Sequence, residues 1–245
     1  MYSLLIDRGN SRIKAAIVKN GSKDVSDARI FSNFKELKDF IQQAGPIDQS
    51  IYSDVQKNSK ELEEVLYEKG LNFIRCNYLL KLPFKLDYHT PQSLGDDRIA
   101  AVAAAHSLYS GKNVLVIDAG TCITYDFLDN KSVYHGGAIS PGIKMRFEAL
   151  NKMTGNLPHV EFENEKINFP GKSTQDSIKN GVLNGIIFET QAFIDELNNK
   201  HEELIVLIGG GDRKYFESNL KGNIFARENL ILEGLISILS FHDSH

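Results

Sequence analysis

Only two cysteines occur in the 245 residues, Cys76 and Cys122, far apart and without a ligand-like spacing. A disulfide framework and a zinc site are therefore not expected, and a reducing, cytoplasmic compartment fits. No stretch approaches the roughly 20 apolar residues needed to span a bilayer. The opening Met1-Tyr2-Ser3-Leu4-Leu5-Ile6-Asp7 has no basic segment and meets an acid before a signal-length apolar run can form, so secretion is not expected either. An excess of one charge is missing too: 28 basic and 32 acidic residues are mixed along the chain, for a net charge of −4. Without a continuous basic stripe to neutralise phosphates, nucleic acid is not an expected partner, and nothing points to a membrane. What is present is 42% hydrophobic content, enough for a sizeable core as one large or two small domains of roughly 100–150 residues each.

Hydrophobic patterning gives an α/β chain. Ser3 to Ile6 reads as a buried strand and Ile13 to Val18 as its partner beyond a glycine turn, with Lys19-Asn20-Gly21-Ser22 as the next turn. Phe34, Leu37, Phe40 and Ile41 recur at helical spacing after a Ser32-Asn33 cap signal, as do Leu62, Val65 and Leu66 after Asn58-Ser59, with a strand at Ile47 to Ser53 between them. The alanine-rich run Ile99 to Leu108 suggests a helix buried between layers. Asn113 to Asp118 then repeats the opening: an apolar strand ending in Ile-Asp, a glycine two residues on, and a β-prone stretch from Ile123 to Leu128 closed by Asp129-Asn130. Asp7 matches Asp118 and Gly9 matches Gly120, an offset of 111 residues that reads as a duplicated domain. A helix around Gln175 to Leu197, a strand at Leu204 to Ile208 and a last helix near Leu230 to Leu239 follow. The expected halves are 1–111 and 112–245, without a low-complexity linker and so packed around a cleft.

The motifs each have a plain alternative. In Asp7-x-Gly9-Asn10-Ser11-x-x-Lys14, glycine lets backbone amides approach phosphate oxygens, Asn10 and Ser11 add donors, Lys14 adds charge and Asp7 can hold hydrated Mg²⁺. The same residues also make an ordinary hairpin turn. The echo at Asp118-Ala119-Gly120-Thr121 favours phosphate binding, since unrelated hairpins have no reason to share the preceding strand. In Pro91-x-x-x-Gly95-x-Asp97-Arg98, Asp97 could accept the proton of an attacking hydroxyl while Arg98 offsets charge; equally, Asp96 and Asp97 could merely complement a helix dipole. Gly136-Gly137-Ala138-Ile139-Ser140-Pro141-Gly142 suits either a ligand or a tight packed loop. Gly209-Gly210-Gly211-Asp212 follows a strand but is no dinucleotide fingerprint, because Lys214 stands where a third glycine is required; a glycine shelf beside an adenosine stays open. Gly171-Lys172-Ser173-Thr174 looks like the end of a Walker A loop, yet its upstream glycine would fall on Lys166. His242 and His245 are expected in a frayed tail.

Taken in order, Asp7-x-Gly9-Asn10-Ser11-x-x-Lys14, Tyr88-x-x-Pro91-x-x-x-Gly95-x-Asp97-Arg98, Asp118-x-Gly120-Thr121 and Gly136-Gly137-x-Ile139-x-Pro141-Gly142 resemble the type III pantothenate kinases. Serine stands for the usual threonine at Ser11, and Cys122 replaces an alanine; neither removes a group the chemistry needs. The resemblance implies duplicated ribonuclease H-like, actin-like ATPase domains around a central cleft, and ATP-dependent phosphorylation of pantothenate in coenzyme A synthesis. It implies ATP contacts from Asp7, Arg8, Gly9, Asn10, Ser11, Arg12, Ile13, Lys14 and Thr121, with Mg²⁺, and a monovalent cation, K⁺ or NH₄⁺, at Asp118. Asp97 is then the general base, and Tyr88, Gly95, Asp96, Asp97, Arg98 and Thr174 form the pantothenate shell of a homodimer. Two rivals remain in view: a sugar or acetate kinase of the same superfamily, against which Tyr88-x-x-Pro91 and Asp97-Arg98 argue, and a non-catalytic regulatory relative, which has no need of Asp7, Asp97 and Asp118 together.

Overall fold

The computed structural model describes residues 2–56, 59–163 and 168–243; Asn58 of the second cap signal, Lys166 and His245 lie outside them. The chain forms two compact units, Met1–Gly111 with Leu128–Gly136 and Asn229–His245, and Lys112–Phe127 with Gly137–Glu228.

In the first unit, β1 (Tyr2–Arg8), β2 (Ile13–Lys19), β3 (Arg29–Phe31), β4 (Gln49–Asp54) and β5 (Asn72–Arg75) form a sheet in the order β3-β2-β1-β4-β5. β1 runs antiparallel to β2 and parallel to β4, and β4 runs parallel to β5. Alternation along β1 sends Leu4 and Ile6 to one face, where they join Leu37 and Ile41 of α1 (Phe34–Gln43) and Leu62, Val65 and Leu66 of α2 (Lys60–Glu68) in one core. Asn33 caps α1 as its sequence signal predicts, its Oδ1 accepting from the Glu36 amide at 3.0 Å. The other face carries Leu5, Ala16 and Ile51 and meets α3 (Asp96–Leu108) and α8 (Leu230–Asp243).

Helix α3 is buried on every side from Arg98 to Ala105. Five of these eight residues are alanine, so a neighbouring helix can approach the backbone closely. The approach is made by α8 at Gly234, where a Cβ would overlap the Ala100 carbonyl. α8 runs on past the predicted end to Asp243, whose carboxylate accepts from Gln49 Nε2 at 3.0 Å; His242 is thus helical, and the frayed tail expected there is corrected.

The second unit is built around β7 (Val114–Ala119), β8 (Cys122–Leu128), β9 (Val133–Pro141), β10 (Ile205–Gly209) and β11 (Ile224–Ala226), in a sheet ordered β11-β10-β7-β8-β9, with β6 (Lys85–Leu86) added beside the start of β9. Its core joins Leu115, Ile117, Ile123 and Tyr125 of the sheet to α4 (Ile143–Lys152), the segment from α5 (Thr174–Lys179) through a π-helical turn at Asn180–Asn184 into α6 (Gly185–Lys200), and α7 (Arg213–Asn219). The compact units do not follow a single cut after residue 111: the β8–β9 turn groups with the first unit because Val133 and Tyr134 pair with β6, and α8 does so because it packs on α3.

Gly234→Ala should destabilise the protein toward the upper end of the roughly 1–3 kcal/mol typical of overpacking, measured as a fall in the urea midpoint. An unchanged midpoint would show that α3 and α8 can part without loss.

Candidate active site

The Asp7 to Lys14 segment is the β1–β2 hairpin. Asp7 is half-buried and sits opposite Lys14 on one side and Ser53 on the other. The Gly9 amide closes the turn on the Arg12 carbonyl at 3.0 Å, and Asn10, Ser11 and Arg12 stand exposed at its tip. Ile13 points into the apolar core. Arg8 is 6% exposed; it ion-pairs with Asp54 and Glu61, each at 3.4 Å, and lies 4.8 Å over the Phe34 ring. Arg8 and Ile13 therefore brace the turn from beneath, while Asp7, Gly9 and the tip residues remain on its accessible side. Gln56 adds a brace, donating to the Gly9 carbonyl at 3.1 Å. Lys14 Nζ reaches Asn229 Oδ1 at 3.5 Å.

Helix α3 begins at the C-terminal ends of the parallel strands β1, β4 and β5, the end at which open α/β sheets hold ligands. Gly95 is its N-cap and contributes no side-chain cap; a Cβ there would collide with Asp97 Oδ1. The two neighbouring acids differ sharply. Asp96 is buried and accepts from Arg75 Nε at 2.8 Å, whereas Asp97 is half-buried and accepts from the Arg98 amide at 2.8 Å. Burial pushes the Asp96 carboxyl above the usual carboxylate value, with Arg75 and the Asp54 amide pulling it back. The Cys76 thiol is raised well above its ordinary value, first by burial and then by Asp96, Asp97 and Asp7. Cys76 Sγ lies 3.4 Å from the Asp96 carbonyl and its amide donates to the Tyr52 carbonyl of β4, so the start of α3 meets the end of the sheet at which Asp7 sits beside Ser53.

Arg98 is 5% exposed and lies 5.9 Å from the ring centre of Tyr88, which stacks on Tyr134 at 6.1 Å and 6°. Gly136 has φ +80°, and a Cβ there would press on the Tyr88 ring at 3.1 Å. The first residue of the glycine motif therefore makes room for Tyr88. His135 ties the strand before Tyr88 to the β8–β9 turn, meeting Asp87 at 3.3 Å and Asp129 at 2.9 Å. Sequence reasoning did not single out Tyr134 or His135, which carry no motif of their own.

In the second unit Asp118 is the penultimate residue of β7, beside Gly209 of β10. Its turn is shorter: the Gly120 amide donates to the Cys122 carbonyl at 2.9 Å, and Thr121 is exposed. The two remaining glycine motifs meet here. Gly142 donates to the Thr121 carbonyl at 3.0 Å, and Gly210, at φ +90°, lies so close to Ala119 that any side chain would overlap its backbone. Gly209-Gly210-Gly211 is thereby a support for the Asp118 turn. Thr174 is exposed at the first turn of α5, where Ser173 Oγ accepts from the Asp176 amide at 3.1 Å; the Gly-Lys-Ser-Thr run is a helix cap. Thr174 lies in the second unit, and Tyr88 to Arg98 in the first.

Among the described residues no group of three or more His, Cys, Asp or Glu could form a metal cage. Mg²⁺ needs none, because it keeps several waters and binds through one or two carboxylates and the phosphates of its nucleotide. The single half-buried Asp7 beside an exposed glycine turn fits that donor set.

A family model described as type III pantothenate kinase matches residues 3–196. A Christiangramia forsetii protein named type III pantothenate kinase is 44% identical over 241 residues, covering 98% of each chain. Among solved structures, a Campylobacter jejuni chain described as a conserved Baf family transcriptional activator has a TM-score of 0.67 at 22% identity, covering 99% of this chain and 100% of that one. A ROK family glucokinase from Streptomyces griseus, in complex with glucose and AMPPNP, has a TM-score of 0.53 at 12% identity with full coverage of both. The fold is that of the duplicated ribonuclease H-like, actin-like ATPases. With the turns at Asp7 and Asp118 and the Asp96-Asp97-Arg98 helix start in place, and four-fifths of the chain matched by the family model, the chain belongs to the type III pantothenate kinase family.

Proposed function

We propose that this chain transfers the γ-phosphoryl group of ATP to the primary hydroxyl of pantothenate, giving 4′-phosphopantothenate, the first step of coenzyme A synthesis. The observation that supports the reading is the position of Asp7 and of the Asp96-Asp97 helix start at the C-terminal end of the first sheet, Asp96 being buried and Asp7 and Asp97 half-buried. Phosphoryl transfer to an alcohol uses one carboxylate near the metal and phosphates and another near the hydroxyl, and Asp7 at a strand end and Asp97 at a helix start offer two.

In this reading the exposed turn Gly9-Asn10-Ser11-Arg12 donates to the ATP phosphates, Lys14 adds positive charge and Thr121 contacts the nucleotide. Arg8 and Ile13 hold the turn in shape. Asp7 would hold hydrated Mg²⁺, which would supply positive charge beside the phosphates. Asp97 accepts the hydroxyl proton as the hydroxyl oxygen bonds to the γ-phosphorus and the bond from that phosphorus to ADP breaks. Arg98, fixed over Tyr88, offsets charge beside the acceptor, and Gly95 leaves the Asp97 carboxylate room to face it. Thr174 completes the pantothenate contacts, and Asp118 takes part in holding K⁺ or NH₄⁺. We further propose that the chain acts as a cytoplasmic homodimer and that its two halves, 1–111 and 112–245, arose by duplication. None of the described helices is long and apolar enough to cross a membrane.

Asp97→Asn should lower kcat by roughly 10²–10⁴-fold with ATP binding retained, read in a coupled ADP-release assay; near-normal turnover removes Asp97 as the base. Tyr88→Leu should raise the KM for pantothenate and leave the KM for ATP within about twofold, because it removes the ring that faces Arg98; equal effects on both substrates would contradict Tyr88's place in the acceptor shell. The same assay with K⁺ withheld tests Asp118, since turnover independent of K⁺ and NH₄⁺ leaves no cation for it to bind.

A further inference from the structure

Resting on that reading of the acceptor side, we propose that Arg75 is a positioning residue for the transfer, fixing the first turn of α3 and through it the Asp97 carboxylate and Arg98. Arg75 closes β5, the edge strand of the first sheet. Its guanidinium donates to three separate segments: from Nε to Asp96 Oδ2 at 2.8 Å, from Nη1 to Ser59 Oγ at 3.1 Å, and from Nη2 to the Asp54 carbonyl at 3.3 Å. The planar guanidinium spreads its donors over three nitrogens in a fixed fork that reaches three separate segments, whereas lysine gathers its three donors on one nitrogen.

The start of α3 depends on such an anchor. Gly95 provides no side-chain cap, so the partners of Asp96 tie the first turn to the sheet. The Asp96 carboxylate is buried and takes its charge partner from Arg75 and a further hydrogen bond from the Asp54 amide. The pair is buried on the Asp96 side, whereas Arg75 is 40% exposed, so removing Arg75 strands the carboxylate, which must then move or neutralise. Asp97 and Arg98 follow Asp96 directly in the same turn and move with it. Asp54 also links the two sides of the site, because its carboxylate pairs with Arg8 beneath the Asp7 turn while its backbone meets Arg75 and Asp96. Asp96 is therefore assigned to holding the helix rather than to touching pantothenate.

Steady-state kinetics of Arg75→Met, Arg75→Lys, Asp96→Ala and the double variant Arg75→Met/Asp96→Ala test this. A displaced reacting group costs about 10²-fold, so Arg75→Met and Asp96→Ala should each lower kcat/KM for pantothenate by that order while the KM for ATP stays within about threefold. The double variant should be no worse than Arg75→Met alone, because both substitutions cut one linkage, and Arg75→Lys should restore only part of the loss. Losses that multiply in the double variant, or an Arg75→Met enzyme with unchanged pantothenate kinetics, overturn the proposal. A readout free of the acceptor's identity is thiol labelling in a Cys122→Ser background: Cys76 is buried and its Sγ lies 3.4 Å from the Asp96 carbonyl, so Arg75→Met should speed its modification. If the unsubstituted protein fails to phosphorylate pantothenate, the functional reading falls, but faster Cys76 labelling still supports the Arg75 anchor and unchanged labelling still overturns it.

Discussion

Helix α3 can enter the middle of its unit only because its side chains are small. An ordinary amphipathic helix buries one stripe and solvates the rest; α3 is covered on all sides by a run in which alanine predominates. Small residues let α8 approach at Gly234 and let β4 pack against α3. The consequence for function lies at the helix end. A helix locked along its length has a fixed N-terminus, and that terminus carries Asp96, Asp97 and Arg98 at the ends of β1, β4 and β5. Chemistry that depends on placing one carboxylate within a fraction of an ångström of a hydroxyl benefits from such a mount.

The duplication suspected from Asp7 and Asp118 is visible in strand order. The first sheet runs β3-β2-β1-β4-β5 and the second β9-β8-β7-β10-β11, the same path taken twice. In each, the first strand ends in a half-buried aspartate one residue from its close, a short turn leads to the neighbouring strand, and a parallel strand lies on the other side. The units differ in how the turn is supported. Charged and amide side chains, Arg8, Asp54 and Gln56, brace the first, whereas backbone from Gly142 and Gly210 packs against the second. The second turn is correspondingly tighter and has fewer exposed polar side chains to offer a phosphate.

These contrasts mark what the sequence could reveal. Local signals were readable: the Asn33 cap, the alanine-rich helix, the two acid-glycine turns and the strands before them all depend on residues near one another in the chain. The start of α4 was not readable, because its N-cap is Gly142, which has no side-chain signal and belongs to a motif that suggested a loop. Nor was the meeting of Gly142 and Gly210 at one turn, since it joins segments far apart in sequence. Tyr134, His135 and Arg75 had no pattern to announce them. Arg75 ends a four-residue strand without clean alternation, and its partners Asp54, Ser59 and Asp96 lie on both sides of it in the chain. A sequence pattern records what a residue is, while the role of Arg75 comes wholly from what surrounds it.

Asp96 and Asp97 make the same point at the smallest scale. They are chemically identical and adjacent, and a helix start welcomes both, since each acid complements the positive end of the dipole. Their rotation around α3 separates them. One faces inward, where burial penalises its charge and Arg75 must compensate; the other faces outward past a glycine that leaves it space. A buried carboxylate already hydrogen-bonded to a guanidinium is poorly placed to take a substrate's proton, because a substrate hydroxyl has no path to it. The outward neighbour is half-buried rather than buried, so the burial of Asp96 favours Asp97 as the base proposed above.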